Sequence, residues 1–372
     1  MMISRDKEDI VKINRMRSNA GDYIKDGIQD NIQNSPHSSI QNSNQNSLHN
    51  SSQNSFHSNI QNRSQNNIKH NTHNNIQDRI QDKSFQTHIF QTDSGISLAA
   101  DYFAAGENRK DIAVLYFHGG GLMYGQRNDL PGVYRQMFLD NGYDFIAFDY
   151  PLAPESTLGD IHRGTEECVR WFCTYYKERN DMITPTYVLF GRSAGAYLAL
   201  FLAKRLKELD LPQPFKIISF YGYYGFEEPE FHKPSPFYLR YPAIDGSILE
   251  RAKGGAPVTS GPMEKRFSFY VCARQKGDWP LWLAGDGNCP ADFSLSEMDL
   301  AGLPPAFLTA SSSDEDVPFR VSKRMSRMIP GSVFYPVYYL EHDFDRDTGR
   351  AEGKEVYEAC MEWMGMNENG LK

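Results

Sequence analysis

From Phe85 onward the chain is written in short apolar runs that alternate with amphipathic stretches. Ile112-Ala113-Val114-Leu115-Tyr116-Phe117 has no polar break, the pattern of a strand covered on both faces. Similar runs fall at 143–150, 186–190, 216–221, 305–310 and 333–339. Ahead of them, 88–92 and 97–103 flank the turn signal Asp93-Ser94-Gly95 and predict a hairpin. Between the runs, 134–141, 166–179 and 197–203 carry helical spacing, and helical sequence follows each of the last two strands. Strands alternating with helices predict an α/β fold with a mostly parallel central sheet and helices on both faces. In such sheets reactive groups collect at the carboxyl ends of the strands.

Two segments break the pattern. From Gly225 to Leu303 the alternation stops, and prolines and aromatics take over, among them Phe226, Phe231, Tyr238, Phe267, Tyr270, Trp279 and Trp282. An insertion between late strands, at the edge where reactive groups collect, predicts a cap over a pocket, with most of its aromatics filling its own small core. The other segment is 1–84, which from about Ile28 is dominated by Asn, Gln, Ser and His. Ile28, Ile32, Ile40, Leu48, Phe56, Ile60, Ile68, Ile76 and Ile80 hold one slot of a four-residue unit resembling Ile-Gln-Asn-Ser. A strict period of four drifts about 40° per repeat around a helix, so no fixed apolar face forms. A disordered low-complexity tail is expected at 1–84, followed by one domain at 85–372.

Composition narrows the partners. The 372 residues carry a net charge of −8, and no Lys/Arg stripe is evident, so nucleic acid is not expected. The most apolar long stretch, 187–206, is interrupted by Arg192 and Lys204, so no membrane span is expected. The first nine residues lack the apolar core of a signal peptide. The five cysteines, Cys168, Cys173, Cys272, Cys289 and Cys360, form no C-x-x-C pair. Reduced thiols in a cytoplasmic protein follow, with neither a zinc site nor a disulfide framework.

Two glycine motifs sit where strands end. Gly191-Arg192-Ser193-Ala194-Gly195 follows the run at 187–190 and opens a helical stretch. A sharp strand-to-helix turn exposes a serine hydroxyl, and its flanking glycines, Gly191 and Gly195, let backbone pass where a side chain would collide. A lone G-x-S-x-G arises by chance in roughly one chain in ten of this length. His118-Gly119-Gly120-Gly121, closing the run at 112–117, makes coincidence a poor account. Its free glycine amides suit one half of an oxyanion hole.

A serine nucleophile needs a base, and the base an orienting acid. Of ten histidines, five lie in the tail, His118 belongs to the glycine loop, and His88, His162 and His232 lie in the hairpin, before the nucleophile strand and in the insertion. His342, directly after the last strand, remains. The acid should follow the preceding strand, where Asp314, Glu315 and Asp316 stand. Asp314 is nearest the strand end and is preferred; Asp316, just before Val317-Pro318, is the alternative acid or a helix cap. Asp343 and Asp345 read as loop residues. The order Ser193, Asp314, His342 is that of the α/β-hydrolases.

Taken with Asp149-Tyr150-Pro151-Leu152-Ala153-Pro154-Glu155, these motifs resemble the hormone-sensitive-lipase-like, acetyl-esterase/lipase branch of the α/β-hydrolase superfamily. The resemblance spans essentially all of 85–372. It implies the α/β-hydrolase fold, the triad Ser193, Asp314 and His342, and an oxyanion hole from the amides of Gly119, Gly120 and Ala194. It also implies a mainly structural Asp149–Glu155 segment, with Glu155 bracing the glycine loop. That group commonly reads His-Gly-Phe where this chain has His342-Asp343-Phe344, and has a helical cap where this chain has its polar repeat.

The expected activity is hydrolysis of carboxylic esters, short acyl or acetyl esters foremost, through an acyl-serine and without metal or organic cofactor. The expected partner is a small-molecule ester; homo-oligomerisation stays open. Three alternatives stand beside it: an amidase or peptidase on the same triad, a hydrolase fold that only binds a small ligand, and a self-associating tail with the domain as cargo.

Overall fold

The computed structural model describes residues 85–366 except 107, 181 and 182, so the expectation for 1–84 lies outside the described residues. Eight strands form one sheet: β1 (Phe85–Gln91), β2 (Ser97–Phe103), β3 (Ile112–Phe117), β4 (Asp144–Phe148), β5 (Thr186–Arg192), β6 (Lys216–Phe220), β7 (Ala306–Ser311) and β8 (Val333–Val337). Their spatial order is β1-β2-β4-β3-β5-β6-β7-β8. The hairpin β1–β2 and the β2–β4 pair are antiparallel, and every later pair is parallel. The α/β fold with a mostly parallel sheet expected from the strand–helix alternation is observed, and it is the fold that the family resemblance implies.

Side chains of successive residues leave a strand on opposite faces, and β3 divides accordingly. Ala113, Leu115 and Phe117 enter one core cluster, Val114 and Tyr116 the other. The first cluster takes in helices α2 (Leu158–Asn180) and α3 (Ala194–Glu208), and the second takes in α1 (Gly132–Asp140) and α9 (Ala351–Gly365). Helices on both faces explain why β3 is apolar throughout, β4 apolar after Asp144, and both are buried at every position. Helix α2 begins at Leu158, eight residues ahead of the stretch recognised by its spacing. Its first turn is capped by Thr157, whose Oγ1 and amide donate to Asp160 at 2.7 and 2.9 Å.

The chain between β6 and β7 folds into short helices: α4 (Ser247–Ala252), α5 (Met263–Lys276), α6 (Trp279–Ala284) and α7 (Glu297–Ala301). Helix α8 (Phe319–Met328) follows β7. Trp279 is the insertion's hub, buried against the edges of Tyr223, Phe226, Phe231 and Tyr270. Among the described residues no helix is long and apolar enough to cross a membrane.

Candidate active site

Ser193 stands between β5 and α3 with φ 52° and ψ −119°, a left-handed backbone that a serine holds only under constraint. Its amide donates to Phe220 O at 2.8 Å, which pins the turn to the neighbouring strand. The flanking glycines are required by close approach. A Cβ at Gly191 would overlap the Gly195 carbonyl, and one at Gly195 would overlap the Phe117 carbonyl. The turn is therefore wedged against the end of β3, which brings the glycine loop to the serine. A Cβ on Gly119 would lie 3.4 Å from Ser193 Cβ.

A hydrogen-bonded chain runs from the serine to a buried acid. His342 Nε2 lies 2.8 Å from Ser193 Oγ, and His342 Nδ1 donates to Asp314 Oδ2 at 2.6 Å. The Asp314 side chain has no solvent exposure. Its second oxygen, Oδ1, accepts the amides of Asp316 and Val317, both at 2.8 Å, so the carboxylate is fixed from both sides. Burial disfavours an imidazolium at His342, but the Asp314 charge and hydrogen bond outweigh it and raise the pKa to about 9.

Two of the three residues expected to supply the oxyanion hole, Gly119 and Gly120, border the same space, and Ala194 does not line it. Gly119, Gly120 and Ser193 line one cavity with His342. Among the described residues no hydrogen bond takes up the amides of Gly119 or Gly120. Ala194 is the first residue of α3, where an amide has no acceptor within the helix. Gly121 has φ +58°, and a Cβ there would overlap the Tyr270 ring, so the insertion packs directly on the glycine loop. His118 is fully buried; its Nδ1 donates to Gly119 O at 2.8 Å and its ring stacks on Tyr150 at 4.2 Å. Tyr150 Oη donates to His118 O at 2.8 Å, which holds the loop from below. Burial lowers the His118 pKa, which favours the neutral ring.

Glu155 reaches the glycine loop through a residue the motifs did not point to. Arg266 of α5 donates to both Glu155 oxygens, at 2.8 and 2.6 Å, and also to Met123 O and Ala153 O, each at 2.8 Å. Asp316 is neither beside His342 Nδ1 nor a helix cap: Pro318 takes the N-cap of α8. Its carboxylate instead accepts Arg274 Nη1 at 2.5 Å and the hydroxyls of Tyr270 and Tyr238 at 2.9 and 3.0 Å. Asp345, expected in a loop, is in one but fully buried, where it meets Arg192. A buried carboxylate with three donors leaves no mark in spacing or periodicity.

The cavity measures about 120 Å³. Tyr124, Leu130, Met263 and Tyr270 supply apolar wall, while Asp129, Glu264 and Arg346 add polar lining. Arg346 Nε lies 2.5 Å from Asp343 Oδ2, which neutralises the carboxylate adjoining His342 in sequence.

Comparison with known proteins agrees with this architecture. A protein of the alpha/beta hydrolase superfamily from Enterococcus faecalis is 33% identical and superposes with a TM-score of 0.64, over 75% of this chain and 98% of that one. A protein of unknown function from Staphylococcus aureus Mu50 is 27% identical with a TM-score of 0.67, over 75% of this chain and 97% of that one. A non-reducing polyketide synthase of Aspergillus terreus is 28% identical over 161 residues, 40% of this chain. The chain spans only about 7% of that synthase's length. Residues 114–315 match the family described as alpha/beta hydrolase fold, and the chain belongs to that family.

Proposed function

We propose that this chain is a serine hydrolase that cleaves short-chain carboxylic esters through an acyl-serine intermediate. The observation that carries the proposal is the unbroken hydrogen-bonded chain from Ser193 Oγ through the His342 ring to Asp314. Neutral His342 accepts the Ser193 proton at Nε2 as Oγ attacks the ester carbon. Asp314, already bonded at Nδ1, stabilises the imidazolium that forms and keeps the ring in the tautomer that leaves Nε2 free. The carbonyl oxygen becomes an oxyanion facing the amides of Gly119, Gly120 and Ala194. His342 then returns the proton to the departing alkoxide, and the alcohol leaves. In the second half, His342 takes a proton from water, hydroxide attacks the acyl-serine, and the acid departs as Ser193 recovers its proton.

The cavity supports short acyl groups. A dry cavity of about 150 Å³ admits benzene, so about 120 Å³ suits a chain of a few carbons. Tyr270 and Tyr124 are among the side chains that wall the cavity. The test is Ser193→Ala with p-nitrophenyl acetate: turnover is expected to fall on the order of 10⁴-fold or more. Retention of a tenth of the activity would remove the assignment.

A further inference from the structure

We propose that Arg192 and Asp345 form a buried positioning pair that holds the histidine loop in register with the nucleophile turn. The inference rests on the serine-hydrolase reading above and concerns how its geometry is kept. Arg192 directly precedes Ser193, at a place where the motif specifies no residue, yet only 3% of it is exposed. Its Nη2 donates to Asp345 Oδ1 at 2.9 Å, and its Nε donates to Tyr221 Oη at 2.6 Å. Asp345 has no exposure and lies three residues beyond His342. Its carboxylate also accepts Tyr221 Oη at 2.7 Å and Tyr357 Oη at 2.9 Å. The guanidinium's third nitrogen, Nη1, lies 3.7 Å from Asp129 Oδ2, on the segment that follows the glycine loop.

Each partner belongs to a different element of the site. Arg192 is the last residue of β5, Tyr221 follows β6, and Asp345 sits in the 13-residue stretch between β8 and α9 that carries His342. Tyr221 also lies against the His342 ring, centroid to centroid 4.7 Å. The chain between Val337 and Ala351 has no helix or strand of its own, so its path depends on anchors such as Asp345. A buried ion pair is a poor device for stability, because desolvating two charges offsets much of their attraction, and packed apolar residues often serve as well. What it supplies is direction. A guanidinium that donates to Asp345 and Tyr221 through two of its nitrogens accepts one arrangement of the two loops. The His342 to Ser193 contact of 2.8 Å is therefore set by the pair that joins the two loops. Neither Arg192 nor Asp345 is assigned contact with the reacting atoms.

The experiment compares Arg192→Lys, Tyr221→Phe and the double variant Arg192→Met with Asp345→Leu, reading kcat, KM, Tm and the rate of Ser193 labelling by a fluorophosphonate. Lysine keeps the charge but cannot donate to both partners in the same geometry, and Tyr221→Phe removes the bridging hydroxyl alone. A positioning role predicts kcat and labelling rate down tenfold or more in the double variant and about threefold or more in the two single variants. KM is expected within threefold throughout. The double variant leaves no unpaired charge from the pair, but it strands the buried hydroxyls of Tyr221 and Tyr357, so its Tm should fall while the fold is kept. If it folds and keeps kcat within threefold of the parent, the pair is merely structural and the proposal is wrong. If the double variant does not fold, Arg192→Lys and Tyr221→Phe decide, and kcat unchanged in both overturns it. A parent protein that neither turns over esters nor labels at Ser193 would instead refute the hydrolase reading, which separates the two failures.

Discussion

Arg274 Nη1 of the insertion lies 2.5 Å from Asp316 Oδ1, two residues beyond Asp314. Helix α5 is thereby fastened to the loop that carries the proposed triad acid. Arg274 is 1% exposed, and rings of Phe231, Tyr238, Tyr270 and Trp279 surround its guanidinium. Arg274→Ala would strand a buried carboxylate, which costs about 3–5 kcal/mol. A fall in unfolding free energy of that size is expected in denaturant titration.

The two neighbouring acids should separate by what they impair. Asp314→Asn keeps volume but removes the charge that supports the His342 imidazolium, so kcat should fall on the order of 10⁴-fold with little change in Tm. Asp316→Asn should do the reverse, lowering Tm by several degrees and kcat by less than about tenfold, since its partners lie in the insertion. Steady-state kinetics alongside thermal unfolding checks both. Equal losses of kcat in the two variants would contradict the choice of Asp314.

The pH dependence follows from His342. Its pKa is raised from 6.5 to about 9, with Asp314 outweighing burial. Only the neutral ring is a base, so kcat/KM should rise with pH and inflect near 9, well above the ordinary histidine range. Asp314→Asn should move the inflection downward, because the anion that favours the imidazolium is gone. The same raised pKa links to stability. Below about pH 6.5 the folded-state interaction is fully present, and it is lost as pH rises through about 9. A parent profile that is flat above pH 6 would contradict this.

Gly195→Ala tests the wedge that joins the serine turn to the glycine loop. The added Cβ meets the carbonyls of Phe117 and His118, which are backbone and cannot rotate away. A loss of about 3 kcal/mol or more is expected, measured as a fall in Tm. A variant as stable as the parent would show that the turn relaxes freely.

How much of this was legible in the residues depended on whether a feature was local. The strands were readable because helices cover both faces and leave unbroken apolar runs such as Ile112–Phe117. Ser193 and the glycine loop were readable because their turns admit only small residues. His342 and Asp314 were found from position after β8 and β7. The supports were not readable: the ion pairs Arg192–Asp345, Arg266–Glu155 and Arg274–Asp316 join residues 153, 111 and 42 positions apart. Such pairings are set by tertiary contact, and an arginine in a sequence carries no sign of which carboxylate it will meet. The insertion's helices were missed for a related reason. Trp279 and its neighbours are buried by one another, so no amphipathic stripe marks α6.

Residues 1–84 are proposed to be dispensable for hydrolysis. Deleting them should leave kcat and KM for p-nitrophenyl acetate within twofold. Loss of turnover in a deletion variant that still folds would assign the repeat a part in the site.

The central claim is that Ser193 is a nucleophile activated by His342. Its most direct test is fluorophosphonate labelling of the full chain, with the modified residue located by peptide mass analysis. One adduct at Ser193 is predicted, strongly slowed by His342→Ala and absent in Ser193→Ala. An unlabelled Ser193 in protein that still hydrolyses esters would contradict the account.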